Sequence, residues 1–181
     1  MLSAMTEIWK TDLQPIWDSL IAAKRYAEIE AQESPCVRRK YGAILFNNYI
    51  DYDYVIDEGQ SLVSCISAHN NRVSRCCDHG CIRDLMSIQH GHNTDLGAEV
   101  HAEQSLLVKT RGSDWQHFLI VGFDSKGKPF YDKQCWPCYS CARIVKEAKI
   151  KGVWIPLKNE GFKFYLMDEI LEEYESEISI D

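Results

Sequence analysis

Two short stretches decide how this chain is read: His101-Ala102-Glu103 and Pro137-Cys138-Tyr139-Ser140-Cys141, whose first cysteine lies 37 residues beyond the histidine. Each falls at the opening of a segment that reads as a helix, Ala98 to Lys109 and Pro137 to Ala148, and the apolar run from Phe118 to Phe123 between them reads as a buried strand. Two cysteines at i, i+3 on a helix start can reach one ion together, and a histidine from a second helix start supplies a third ligand. Three nitrogen and sulfur donors with a fourth position open describe a catalytic rather than a structural zinc site. Zinc in such a site lowers the pKa of a bound water to about 7. Glu103 lies two residues past His101, where it need not ligate and is placed to carry protons between that water and a substrate nitrogen.

Working outward, residues 12–33 read as a helix: Asp12 is a capping residue, Pro15 sits in the first turn, and Leu13, Ile16, Trp17, Leu20 and Ile21 form one stripe. Tyr41 to Phe46 reads as a buried strand, Asn47 to Gly59 as a polar loop, and Ser61 to Ser67 as a second strand. From Ala68 to Gly97 the sequence is polar, without period and crowded with Cys and His. Apolar burial cannot hold so long a stretch inside a compact domain, whereas a metal can. Val153 to Ile155 reads as a strand, and Met167, Ile170, Leu171 and Tyr174 stripe a final helix. This order predicts an α/β fold, a three-layer α-β-α sandwich. The whole of 1–181 forms one domain with a Cys/His-rich insert at 68–97 and an acidic C-terminal helix.

Composition sets the limits. Of 181 residues 45% are hydrophobic, 26% charged and 11% aromatic, with ten Gly and five Pro, which supplies a core and excludes disordered, collagenous and low-complexity classes. No apolar run approaches the roughly 20 residues that span a bilayer. Met1 to Thr6 lacks a basic region followed by an apolar one, so the expected location is the cytosol, the host's if the chain is viral. Net charge is −7, but seven acids against Lys163 alone fall between Phe162 and Asp181, leaving 20 acids and 19 bases elsewhere. That balance, with no run of interleaved basic and aromatic residues, disfavours a nucleic-acid polymer as partner. Eight cysteines in a reducing compartment point to metal or chemistry. Cys36 and Cys65 stand alone, Cys76, Cys77 and Cys81 cluster with His79, and Cys135, Cys138 and Cys141 are three residues apart.

His-x-Glu followed in order by Pro-Cys-x-x-Cys is the signature of zinc-dependent nucleobase deaminases. From Ser34 to Pro156 the sequence resembles the cytidine/deoxycytidylate deaminase superfamily, and more closely the phage-type deoxycytidylate (dCMP) deaminases. The segment Glu33-Ser34-Pro35-Cys36 before Tyr41-Gly42-Ala43-Ile44 resembles that family's approach to its first strand. The resemblance implies a central mixed sheet with zinc between two helices, bound by His101, Cys138 and Cys141, and Glu103 as proton shuttle. It implies that the main-chain N–H of Ala102 holds the pyrimidine carbonyl and that Asn70, in Ala68-His69-Asn70, contacts the nucleotide. Activated water then attacks C4 of cytosine and ammonia leaves, taking dCMP to dUMP for thymidylate synthesis. It further implies a homo-oligomer, a hexamer, regulated by dCTP and dTTP.

The resemblance also implies a second, structural zinc. Its ligands come from Cys36, the Cys76-Cys77-Asp78 segment, His90 or His92, and Glu99. The spacing does not choose between Cys76 and Cys77 or between His90 and His92, and Cys81 and His79 compete with them. The chain departs from the family in carrying Ser105 where an Asn is usual, and in adding Cys135 and Trp136 beside the motif. Trp136 either walls the base pocket or packs, and Cys135 reads as a bystander. For a nucleotide phosphate, Arg38, Arg39, Lys40, Arg72, Arg75 and Arg111 are at hand, with Arg72 preferred for its closeness to Asn70. Two other readings stand beside this one: a deaminase of tRNA or single-stranded DNA, and a non-catalytic zinc-binding module.

Overall fold

The computed structural model describes residues 6–8, 14–47, 65–72, 87, 99–110, 115 and 117–178. In chain order these form β1 (Thr6–Ile8), α1 (Gln14–Glu33), β2 (Arg39–Phe46), β3 (Cys65–His69), β4 (Asn71–Arg72), β5 (Glu99–Val100), α2 (Ala102–Lys109), β6 (His117–Asp124), a 3₁₀ turn (Asp132–Cys135), α3 (Tyr139–Glu147), β7 (Gly152–Pro156), β8 (Phe162–Leu166) and α4 (Met167–Ile178). The main sheet runs β1-β8-β7-β6-β2-β3. It is mixed: β6 and β7 are parallel, while β2 is antiparallel to both β3 and β6, and β8 to both β1 and β7. A separate two-stranded ribbon sets Asn71 opposite Val100 and Arg72 opposite Glu99.

Strand alternation divides the core in two, because successive side chains leave a strand on opposite faces. Ile44, Phe46, Leu119 and Val121 meet Trp17, Leu20, Ala23 and Ala27 of α1 on one face. Ala43, Leu45, Phe118, Ile120, Val153 and Ile155 meet Ala102, Leu106, Ala142, Val145, Ile170 and Leu171 of α2, α3 and α4 on the other. The result is the expected three-layer sandwich. Helix α1 lies close to the sheet because it presents Ala23, Ala27 and Ala31, all fully buried, and because β2 carries Gly42 where a Cβ would stand 1.8 Å from the Ala27 carbonyl oxygen.

Several elements differ from the sequence expectation. The helix expected from Ala98 begins at Ala102, because His101 is its extended N-cap (φ −66°, ψ 155°), its carbonyl accepting from Ser105 N at 2.9 Å. Glu99 and Val100 are drawn instead into the ribbon with β4. The second strand, expected over 61–67, is described from Cys65 and continues to His69. Strand β8 was not anticipated: Phe162 to Leu166 pairs along all of β7 after a turn in which Leu157 N donates to Gly161 O at 2.8 Å. No described helix is long and apolar enough to cross a membrane.

Candidate metal centre

Helices α2 and α3 begin side by side on the same face of the sheet, and their first residues carry the donors. His101 is the N-cap of α2, Cys138 is the N-cap of α3 (φ −63°, ψ 164°), and Cys141 lies in the first turn of α3. The Nδ1 of His101 stands 3.3 Å from the Cys141 Sγ and 3.5 Å from the Cys138 Sγ. All three donor atoms fall within 4.8 Å of one another. For a tetrahedral zinc, bond lengths of about 2.1 Å to nitrogen and about 2.3 Å to sulfur put N and S roughly 3.6 Å apart. The observed separations match, so this donor set fits zinc. Among the described residues it is the one group of three or more His, Cys, Asp or Glu side chains that converge in this way.

The electrostatics of the trio agree. Hydrogen bonds from Cys141 and His101 hold the Cys138 thiol far below its ordinary range, while Cys138 and burial push Cys141 up. Two thiols that move in opposite directions share one proton. The resulting thiolate, with Glu103, raises His101 to about 9. A cation entering this site displaces the proton the two thiols share and that of His101. Glu103 is 6% exposed, and burial raises its carboxyl from 4.5 to about 6, so it can hold or release a proton close to neutrality.

His101, Glu103 and Cys138 line a cavity of about 100 Å³, with Cys141 fully buried behind them. Of the sequence-predicted contacts, Ala102, Asn70 and Trp136 line it. Ala102 is fully buried at the first position of α2, where helix N–H groups lack partners within the helix. The side chain of Asn70 is engaged with main chain, its Oδ1 accepting from Tyr41 N at 2.7 Å and its Nδ2 donating to Arg39 O at 2.9 Å. Trp136 lies edge-on to Tyr165 at 4.9 Å, and its Nε1 is buried with no partner among the described residues. Arg72 is in β4 opposite Glu99. The arginines on the cavity wall are Arg38 and Arg39, with the Arg39 guanidinium 5.0 Å from the centre of the Phe130 ring.

Cys36 and Glu99 also meet at the cavity, the Sγ donating to Oε1 at 3.2 Å, and burial pushes the Cys36 thiol up to about 12. Cys76, Cys77, His90 and His92 lie outside the described residues. Cys135 is fully buried and pushed up to about 12 by that burial, apart from the converging trio.

Sequence reasoning missed two wall residues, Tyr41 and Tyr174. Tyr41 begins the apolar run of β2, and Tyr174 belongs to the apolar stripe of α4, so both carried the signal of core residues rather than of a site.

No protein-family model matches the chain, and no curated protein matches it. Among solved structures it is similar to a cytidine deaminase from Mycobacterium tuberculosis, with 16% identity over 88% of this chain and 95% of that chain and a TM-score of 0.45. It is likewise similar to a mutant of that enzyme, with 15% identity, 84% and 93% covered and a TM-score of 0.46.

Proposed function

We propose that this chain is a zinc-dependent hydrolase that deaminates a free cytosine nucleotide, taking dCMP to dUMP. The observation that carries the reading is the convergence of His101, Cys138 and Cys141 beside a buried glutamate on the wall of one cavity. Zinc held by the trio supplies an acidified water as nucleophile at neutral pH.

Everything else falls to the chain's own residues. Hydrolysis at C4 breaks the bond to the amino group, forms a carbonyl and releases ammonia, so protons must travel from water to the ring and the leaving nitrogen. Glu103, raised to about 6, is the group on the wall suited to carry them. The main-chain N–H of Ala102 holds the pyrimidine carbonyl, and Tyr41, Trp136 and Tyr174 give the base flat apolar walls. Arg38 and Arg39 bring cationic charge to the same cavity, which supports a nucleotide over a neutral nucleoside, and they join Arg72 as candidate phosphate contacts. The sequence resemblance alone supports a cytoplasmic hexamer regulated by dCTP and dTTP, with a second, structural zinc that includes Cys36 and Glu99.

The test combines metal analysis with ammonia release from dCMP, dCTP, CMP, cytidine and cytosine in an oligonucleotide. The expected result is bound zinc and turnover of dCMP, with Glu103→Gln losing about 10²–10⁴-fold in rate while keeping its zinc. Turnover of dCTP alone corrects the substrate. Zinc without ammonia from any of the five overturns the enzyme reading in favour of a metal-binding module.

A further inference from the structure

Helix α4 reads from its sequence as acidic with one apolar stripe, and Tyr174 of that stripe lines the cavity. The Tyr174 ring stands edge-on to Trp136 at 6.3 Å and to Tyr139 at 6.1 Å, and its hydroxyl donates to the carbonyl oxygen of Pro137 at 3.2 Å. That carbonyl belongs to the peptide leading into Cys138. Proline has no N–H, so the carbonyl is the only hydrogen-bonding group Pro137 possesses, and Tyr174 takes it. Beside the apolar packing of Ile170 and Leu171, the polar ties that Lys133 makes to Glu173, Lys146 to Asp168 and Tyr139 to Glu175 join exposed side chains. Such pairs contribute little to fixing a backbone in place. The Tyr174 hydroxyl differs in being half-buried and in gripping main chain; burial raises its pKa, so it stays a donor.

We propose that Tyr174 is a positioning residue for the Cys138 ligand. By holding the Pro137 carbonyl it fixes the extended N-cap from which the Cys138 thiol turns toward His101, so that the C-terminal helix is part of the metal centre. This rests on the trio being a zinc site. Groups one step removed from a metal ligand typically change affinity by about 10–100-fold when removed. The Tyr174 bond acts through one peptide, which places the expected effect at the lower end of that range.

The experiment measures zinc affinity by chelator competition in the parent, in Tyr174→Phe, which keeps the ring and deletes the hydroxyl, and in Lys146→Ala, which removes an exposed tie between α3 and α4. Two further readouts are the thiolate-to-cobalt absorption of the cobalt-substituted proteins and the alkylation rate of Cys138 in the metal-free proteins. Tyr174→Phe is expected to bind zinc about tenfold more weakly, with an altered cobalt spectrum and several-fold faster alkylation of Cys138, while Lys146→Ala matches the parent. Tyr174→Phe within twofold of the parent, with an unchanged spectrum, overturns the proposal and leaves the zinc site standing. Equal weakening in Lys146→Ala also overturns it, since helix docking in general would then be the cause. A parent that binds no zinc overturns the site reading and this proposal together.

Discussion

Asn70 and Tyr41 are joined twice: the Asn70 Oδ1 accepts the Tyr41 N–H at 2.7 Å, and the Asn70 N–H donates to the Tyr41 carbonyl at 3.1 Å. The remaining polar groups of Asn70 are used as well, its Nδ2 donating to Arg39 O at 2.9 Å and its carbonyl accepting from Ser34 Oγ at 2.7 Å. A residue that follows an edge strand therefore clasps the start of β2, the stretch that delivers Arg39 and Tyr41 to the cavity wall. The same side chain that faces the cavity is the brace of its wall.

The first prediction follows from that double duty. Asn70 is 4% exposed, so Asn70→Ala leaves the Tyr41 N–H and the Arg39 carbonyl without side-chain partners in a nearly dry place. Each buried polar group stripped in this way costs about 1–3 kcal/mol. The variant is expected to lose about 2–4 kcal/mol of stability by urea unfolding, with part of its zinc retained. A variant as stable as the parent would show that water or a main-chain shift takes over both bonds.

What the sequence made legible were features written by local rules. The trio could be found because a histidine before Ala-Glu and a cysteine after Pro both mark helix starts, and both are N-caps in the fold. Helix α1 declared itself by its apolar stripe. Strand β8 did not, because Phe162 to Met167 runs from strand into helix without a Gly, Pro or capping residue, and its conformation is decided by pairing with β7. Glu99 and Val100 continue a helical pattern upstream of His101, and only the partner strand at Asn71–Arg72 makes them extended. The ribbon and the turn after Ser34 place the residues of the cavity by contacts more than 25 positions apart, which spacing cannot show. The Cys/His-rich insert falls almost wholly outside the described residues.

The second prediction concerns pH. Glu30 on α1 receives His69 Nδ1 and Ser67 Oγ, each at 2.8 Å. Burial by itself would raise this carboxyl, but the hydrogen bonds from His69 and Ser67, with the nearby Lys109 charge, outweigh it and hold Glu30 below its ordinary 4.5. The unfolded chain therefore takes up a proton at a pH where the folded one does not, and stability falls as pH drops through that window. Its contribution is present above about pH 4.5 and lost below. Urea unfolding from roughly pH 6 to pH 3 should show a shallower acid loss for Glu30→Gln than for the parent, although the variant is less stable at pH 7. Parallel curves would remove Glu30 from the account of acid sensitivity.

The last prediction separates the two metal positions. If the cavity serves two ions, the donors divide cleanly: His101, Cys138 and Cys141 on one, Cys36 and Glu99 on the other, with the latter pair already at 3.2 Å. Metal analysis of the parent should then give two zincs per chain. His101→Ala should lose one and all turnover. Cys36→Ala should lose the other, and because a structural zinc contributes directly to folding free energy, its signature should be a fall in thermal stability. Both thiol sites must shed protons to bind, so chelators should strip metal faster at pH 5.5 than at pH 8, by roughly tenfold or more per bound thiolate. One zinc in the parent, unchanged by Cys36→Ala and abolished by His101→Ala, would leave Cys36 and Glu99 as a plain hydrogen-bonded pair and the trio of His101, Cys138 and Cys141 as the sole centre.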